Sequence, residues 1–522
     1  MRRPRILISA VALVVLLLIF SLLGRMQAGG PPHSDLELAG GVPATLYVPG
    51  TSEGRHFLPD PAPRGERPPG VVLAHGFASD RAGVSVLARS LAAAGYSVLS
   101  IEFRGHGANR NAFAAGRGRD DFLFQDLAAA VEYLRGSPYA DGSRIALMGH
   151  SMGAGAVLEY GSRDPGIDGL VLISGGWRMT GPYPPPNTLF LYAEGDPERI
   201  RARTLALGER LADRRGLENG RVYGEFQRGS AVSRVEVPGA DHASIVTNSR
   251  AVGEIVGWLD RIFEVERSSP ARREDPRLGL AMLGYLVFAL VLPGLGALIG
   301  RLAPVPARAA QRGRPLDLGL LALVLVATLP VFAVGRLGAF LPLEVADVIV
   351  PHLALAGLCL LIALQLTGRF DPASLLRGAR GALAASVIGL VAIYALLAPL
   401  GIVIHRLTLT PERAAVGLLS MLLLLPFTYV FNEVLRRGNL LEASGLCLAG
   451  RFLVVGILWL GVVTGVTSGV VLLMLPMLAF LFVLFELLSA SIYATTRSIA
   501  TIALIEAGWL AWIFAAVLPI RI

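Results

Sequence analysis

The chain has 522 residues, of which 53% are hydrophobic and only 16% charged, with mean hydropathy +0.59. That balance excludes an ordinary soluble protein and reads as a polytopic membrane protein of two to four domains. The net charge of +8 is carried by arginine without a single lysine, and the arginines are scattered without interleaved aromatics, which points to residues flanking membrane spans rather than to nucleic acid.

The first element is an apolar run, Ile6–Leu23, behind Met1-Arg-Arg-Pro-Arg5. It is longer than a usual signal-peptide core, and Met26-Gln-Ala28 is a poor cleavage site, so it is expected to stay as an anchor. We divide the chain into this anchor (1–30), N-terminal strands and linker (31–68), an α/β domain (69–265), a charged linker (266–277) and a transmembrane domain of about eight helices (278–522). Within the α/β domain, strands are expected at Val71–Ala74, Tyr96–Phe103, Ile145–Met148, Leu170–Ile173, Leu189–Ala193 and Val235–Val237. Helices are expected at Ala82–Ala94, Asp120–Leu134, after Met148, at Glu198–Arg215 and at Val246–Phe263. Such alternation predicts an α/β fold with a doubly wound, mostly parallel sheet.

Beyond Arg277 the composition turns apolar. Spans are expected at Leu278–Ile299, Leu318–Val334, Val345–Leu366, Ala382–Ile404, Ala414–Leu435, Phe452–Val466, Val470–Ile492 and Ile499–Leu518, nine in all with the anchor. Phe452–Val466 is short of the ~20 residues that cross a bilayer. Arginine placement sets the orientation. With Arg2, Arg3 and Arg5 inside, fourteen arginines of termini and loops fall on the cytoplasmic side. They include Arg301, Arg308, Arg312, Arg314, Arg369, Arg377, Arg380, Arg436, Arg437, Arg451 and Arg497. Four (Arg336, Arg406, Arg413 and Arg521) fall outside. Arg25, Arg267, Arg272, Arg273 and Arg277 raise the outer count to nine, but a long domain translocates largely regardless of charge. The expected location is therefore the cell membrane, with a cytoplasmic N-terminus and an extracytoplasmic α/β domain.

The stretch that carries chemistry is Gly149-His150-Ser151-Met152-Gly153, a Gly-x-Ser-x-Gly between a strand and a helical pattern. Its serine would sit on a turn too sharp for bulky neighbours, with its hydroxyl exposed at the sheet edge. A serine nucleophile needs a base, an acid to orient that base, and donors for the oxyanion. Asp196 ends an apolar run and is the expected acid; helix capping before Pro197 is its structural alternative. Glu194 is a weaker candidate, and Asp164 and Asp168 read as turn residues. His242 follows the last strand and is the expected base, since no other histidine lies between Ser151 and the apolar region. Asp241 beside it reads as structural. Backbone N–H groups of Phe77, in Ala74-His75-Gly76-Phe77, and of Met152 are the expected oxyanion donors. His75 and His150 read as supporting residues. Cys359 and Cys447 lack CxxC partners, so no metal or redox pair is expected.

The ordered set HGF, RGHG (Arg104–Gly107), GHSMG, EGD and GADH resembles the α/β-hydrolase superfamily, most closely its serine aminopeptidase, monoacylglycerol lipase and dienelactone hydrolase-like branches. The resemblance covers about Pro69–Phe263. It implies an eight-stranded sheet, a Ser-His-Asp triad of Ser151, His242 and Asp196, and no cofactor. A departure is the connection Gly175–Asn187, too short and too rich in Gly and Pro for the helical lid of many members, so the site should be open. Together these features predict a membrane-embedded serine hydrolase forming an acyl-enzyme with an ester, thioester or amide, an acyltransferase being a variant. Its expected partners are the lipid bilayer and an ester, lipid or peptide substrate, with no nucleic acid. The alternative is a transporter or membrane-assembly protein whose hydrolase-like domain only binds. Glu433 is expected to pair with Arg436 or Arg437, while Glu486 and Glu506 lie nearer span interiors. Those two either line an ion path or pair within the bundle.

Overall fold

The computed structural model describes residues 2–50, 58–113, 119–176, 178–266, 275–303, 315–331, 340–368 and 379–521. The middle of the charged linker (267–274), the end of the 318–334 span, and Arg267, Arg272, Arg273, Arg308, Arg312, Arg314, Arg336, Arg369 and Arg377 lie outside them. The described chain forms two compact units.

One unit comprises Ser21–Ala281 with two short remote segments, Gly401–Arg406 and Pro519–Ile522. Its centre is one sheet of nine strands: β1 (His33–Leu38), β2 (Val42–Tyr47), β3 (Pro69–Ala74), β4 (Ser97–Ile101), β5 (Asp141–His150), β6 (Gly169–Ile173), β7 (Thr188–Ala193), β8 (Val222–Tyr223) and β9 (Val232–Val237). The spatial order is β1-β2-β4-β3-β5-β6-β7-β9-β8. The run from β4 to β9 is parallel, and β1, β2 and β8 pair antiparallel at the two edges. The sheet therefore has nine strands rather than eight. Two-residue β8, a strip on β9, carries too little alternation to be legible in sequence.

Central strands are apolar on both faces because helices cover both. One face packs on α2 (Ser85–Ala93) and α6 (Ser249–Phe263), the other on α3 (Arg119–Gly136) and α4 (Met152–Gly161). Val71, Val72, Leu73 and Ala74 are all fully buried, as an interior parallel strand requires. Helix α5 (Glu198–Leu211) follows β7. Parallel strands all point their carboxyl ends to one edge, and loops leaving β3, β5, β6, β7 and β9 meet there.

The other unit comprises Met1–Phe20, Met282–Leu400 and Leu407–Leu518. Its helices are the start of α1 (Arg2–Ala28), most of α7 (Arg277–Leu302), α8 (Pro315–Thr328), α9 (Ala346–Leu366), α10 (Ala379–Leu397), α11 (Pro411–Leu435), α12 (Leu440–Val463), α13 (Leu475–Thr496) and α14 (Ile499–Val517). Among the described residues eight helices are long and apolar enough to cross a membrane, and Leu318–Thr328 is a shorter apolar helix. The span expected to be short, Phe452–Val466, is the end of a 24-residue helix. The Asn439–Glu442 capping box starts it at Leu440, twelve residues before the apolar run becomes continuous.

Glu486 and Glu506 are paired inside this bundle. Arg436 grips Glu486 through two hydrogen bonds of 2.9 and 2.7 Å. Arg451 bridges Glu486 and Glu506. Asn432 and Ser489 donate to Glu506 at 2.8 and 2.7 Å. Arg436 thus turns to Glu486 on another helix rather than to its helical neighbour Glu433. A buried guanidinium needs a carboxylate matched to its fork, and that partner comes from tertiary packing.

Candidate active site

Strand β5 ends at His150 and helix α4 starts at Met152, leaving one residue to reverse the chain. Ser151 does so at φ 53° and ψ −110°, a conformation that L residues rarely adopt. The turn closes only because its neighbours lack Cβ atoms. A Cβ on Gly149 would sit 2.3 Å from the carbonyl of Gly153, and one on Gly153 would sit 2.7 Å from the carbonyl oxygens of Ala74 and His75. Gly175, on the loop after β6, would meet Ser151 O at 2.4 Å. Glycines thus let three backbone segments converge on Ser151.

The three residues expected to act together are brought together. His242 Nε2 lies 3.0 Å from Ser151 Oγ, and His242 Nδ1 lies 2.6 Å from Asp196 Oδ1. With Nδ1–H donating to the carboxylate, Nε2 is left to accept the serine proton. Asp196 Oδ2 accepts from Ser174 Oγ at 2.6 Å and from Ala193 N at 2.8 Å. Burial raises the Asp196 carboxyl pKa, but donation from His242, Ser174 and the Ala193 amide outweighs it and holds the group below its ordinary value. The capping alternative is not what its oxygens do: α5 begins behind Pro197 with no side-chain cap. Asp241 accepts from Ala243 N and Ser244 N at 2.9 and 2.8 Å, fixing the turn that carries His242. Glu194 accepts from Gly239 N at 2.8 Å, Asp168 from Ile145 N at 2.7 Å, and Asp164 pairs with Arg135 at 3.0 Å.

Met152 is the first residue of α4, so its N–H has no intrahelical acceptor and stands beside Ser151 at the positive end of the helix. The Gly76–Phe77 backbone passes close by: a Cβ on Gly76 would be 3.3 Å from Ser151 Cβ. His75 is fully buried, its Nδ1–H donating to Gly76 O at 2.7 Å and its Nε2 accepting from Phe103 N at 3.1 Å. Burial pulls its pKa down, so it is a neutral brace for the loop. His150 donates from Nε2 to the carbonyl of His242 at 2.8 Å and ties the elbow to the loop that carries His242. Burial and the adjacent His242 hold it at about 4.

Two supports were not legible in sequence. Ser174 gives no local signal, since it looks like any residue after a strand. Asp80, buried three residues past Phe77, accepts from Ala82 N at 2.8 Å and from Arg406 N at 2.7 Å, and faces His405 Nδ1 at 3.2 Å. His405 and Arg406 lie more than three hundred positions away. Among the described residues of the Gly175–Asn187 connection no helix covers the site, and no group of three or more His, Cys, Asp or Glu could hold a metal ion.

Residues 66–197 match the family described as serine aminopeptidase, S33. The match takes in the His75–Phe77 loop, the Gly149–Gly153 elbow and Asp196, and stops short of His242. A monoacylglycerol lipase of Mycolicibacterium smegmatis is 36% identical over 119 residues, which are 23% of this chain and 40% of the lipase. The chain thus spans less than two thirds of that relative's length. A bis(hydroxyethyl) terephthalate hydrolase of Streptomyces coelicolor is 24% identical over 250 residues, 47% of this chain and 69% of that enzyme. Among solved structures, an α/β serine hydrolase without lid from Xanthomonas campestris aligns at 20% identity and TM-score 0.31, covering 46% of this chain and 97% of that one.

Proposed function

We propose that this chain, whose residues 66–197 match the serine aminopeptidase, S33 family, works as a membrane-embedded serine hydrolase acting through an acyl-enzyme. The observation that carries the reading is the continuous chain Ser151–His242–Asp196, at 3.0 and 2.6 Å. In acylation, His242 Nε2 takes the Ser151 proton as Oγ attacks the substrate carbonyl. The oxyanion that forms is met by the Phe77 and Met152 N–H groups. The protonated imidazole, oriented by ionised Asp196, then gives its proton to the leaving alcohol, thiol or amine, and the carbonyl re-forms as the acyl ester of Ser151. In deacylation His242 takes a proton from water, or from another acceptor in acyl transfer, and returns it to Ser151.

The substrate class is an ester, thioester or amide. Both named relatives act, by their names, on ester-type molecules, and a connection after β6 with no helix among its described residues suits bulky or membrane-presented groups. The balance of arginines supports a domain outside the cytoplasm, anchored in the cell membrane by the apolar helices. An active-site-directed fluorophosphonate tests the chemistry: the wild type is labelled and Ser151→Ala is not. Absence of labelling in the folded wild-type protein would leave the binding-module reading in its place.

A further inference from the structure

The unit holding the candidate active site also carries an open cleft of about 480 Å³ that Ser151 does not line, on the side where the chain leaves α1 and enters α7. That volume is in the range of small-molecule sites. Its polar lining consists of Arg89 on α2, its neighbour Ser90, and Asp275 and Arg277 at the start of α7. The rest is largely glycine, proline and backbone around Met26–Pro31.

Both arginines are held in place. Arg89 is 5% exposed and Arg277 1%. Arg89 donates to the carbonyls of Met26 at 3.0 Å and Gln27 at 3.3 Å. Gly30 makes room for it, because a Cβ there would fall 1.4 Å from Arg89 Nη2. Arg277 donates to Asp275 at 2.9 and 2.6 Å and to the side chain of Gln27. Asp275 serves both, lying 3.9 Å from Arg89 Nε. Among the described lining residues two guanidiniums therefore face one carboxylate. Burial, followed by the Arg277 charge, pulls the Arg89 guanidinium down to about 10. Buried like charges with one counter-ion between them are costly unless an anion completes the set.

The location says which anion. Two of the lining residues stand at ends of apolar helices, Met26 in the last turn of α1 and Arg277 opening α7. Where such helices end, hydrocarbon gives way to headgroups. We propose that this cleft is a binding site for the phosphodiester headgroup of an anionic glycerophospholipid, taken by Arg89 and Arg277. The guanidinium fork fits phosphate oxygens two at a time. The proposal rests on the reading of α1 and α7 as membrane spans. It adds a lipid ligand at a place separate from the reacting serine.

The full-length protein is reconstituted into phosphatidylcholine vesicles with and without phosphatidylglycerol, and lipid retained by the purified protein is quantified by native mass spectrometry beside a thermal melt. The wild type is expected to retain phosphatidylglycerol over phosphatidylcholine by about tenfold and to melt higher in its presence. Arg89→Gln and Arg277→Gln should lose both effects. Asp275→Asn, which removes the competing carboxylate, should strengthen them, a gain that a damaged fold cannot produce. Equal retention of the two lipids by the wild type, or a preference unchanged in both arginine variants, overturns the site. If inorganic phosphate alone stabilises the detergent-solubilised protein as much as phosphatidylglycerol does, the ligand is a free anion and the lipid assignment falls. Release of the protein from vesicles by alkaline carbonate overturns the membrane reading itself; tight retention without a lipid preference overturns only this site.

Discussion

Ser174 donates its hydroxyl hydrogen to Asp196 Oδ2 at 2.6 Å, while the other oxygen of that carboxylate receives His242 Nδ1 at the same distance. The acid is thus held from both sides. Ser174 itself stands at φ 49°, a conformation that aims its short side chain back across the sheet edge at Asp196. Removing the hydroxyl leaves the carboxylate free to rotate away from the imidazole. Ser174→Ala should lower kcat by about ten- to a hundredfold, in line with the roughly 1.5–3 kcal/mol of a hydrogen bond to a charged group, with little change in KM. Steady-state kinetics on a chromogenic ester reads the split.

Asp196→Asn should cost far more, on the order of 10³–10⁴ in kcat, because an amide stabilises the wrong imidazole tautomer. Since the folded carboxyl lies below its ordinary value, it stays ionised at neutral pH. Its contribution to stability is present above the unfolded carboxylate value and is lost as pH falls through the folded one. Acid unfolding of Asp196→Asn should therefore begin less steeply than that of the wild type, as followed by tryptophan fluorescence.

His150 gives a second pH signature of separate origin. It titrates near 4 when folded against an ordinary value of 6.5. Between those limits the unfolded chain binds the extra proton, so stability falls as pH drops from about 6.5 to about 4. His150→Gln should flatten the dependence of the melting temperature on pH across that window.

The elbow glycines admit no side chain. Gly153→Ala forces a methyl to within 2.7 Å of two backbone oxygens, where neither strand β3 nor helix α4 can yield cheaply. Fluorophosphonate labelling of Ser151 should be lost, with at least about 1–3 kcal/mol of destabilisation. A Gly155→Ala control, where a Cβ meets nothing within 4 Å, should label normally.

In the helical bundle, Glu486→Gln would leave Arg436 and Arg451 sharing the single charge of Glu506. Breaking a buried pair by removing one partner typically costs about 3–5 kcal/mol. The variant should lose most of its folded yield in detergent. A Glu486→Gln, Arg436→Gln pair, which restores neutrality, should recover part of it.

Most of the central strands could be read from the chain because each parallel strand is a short apolar run bounded by turn residues, and Gly-x-Ser-x-Gly could be placed because it sits where one such run meets a helix; the order in which the strands lie side by side could not. Ser151, Asp196 and His242 were legible for the same reason: each stands just past the end of a strand, and the strands share one edge. Ser174 stands in the same kind of place but belongs to a residue type too common to single out. Asp80 was hidden for another reason, since its partners His405 and Arg406 come from a segment that only three-dimensional packing brings to it. In the apolar region the helices were plain, but arginine and glutamate partners were not. Glu433 is nearer Arg436 in sequence, yet the fork of Arg436 closes on Glu486, fifty residues away.

Local composition by itself determined the class of this protein: an α/β domain with a serine elbow and a series of apolar helices, because periodicity and turn chemistry are properties of neighbouring residues. Only the tertiary structure decided which charges meet, how His150 and Ser174 brace His242 and Asp196, and where Arg89 and Arg277 share one carboxylate. Hydrogen bonds and ion pairs require ångström-scale approach of atoms far apart in the chain, and sequence spacing carries no record of that approach.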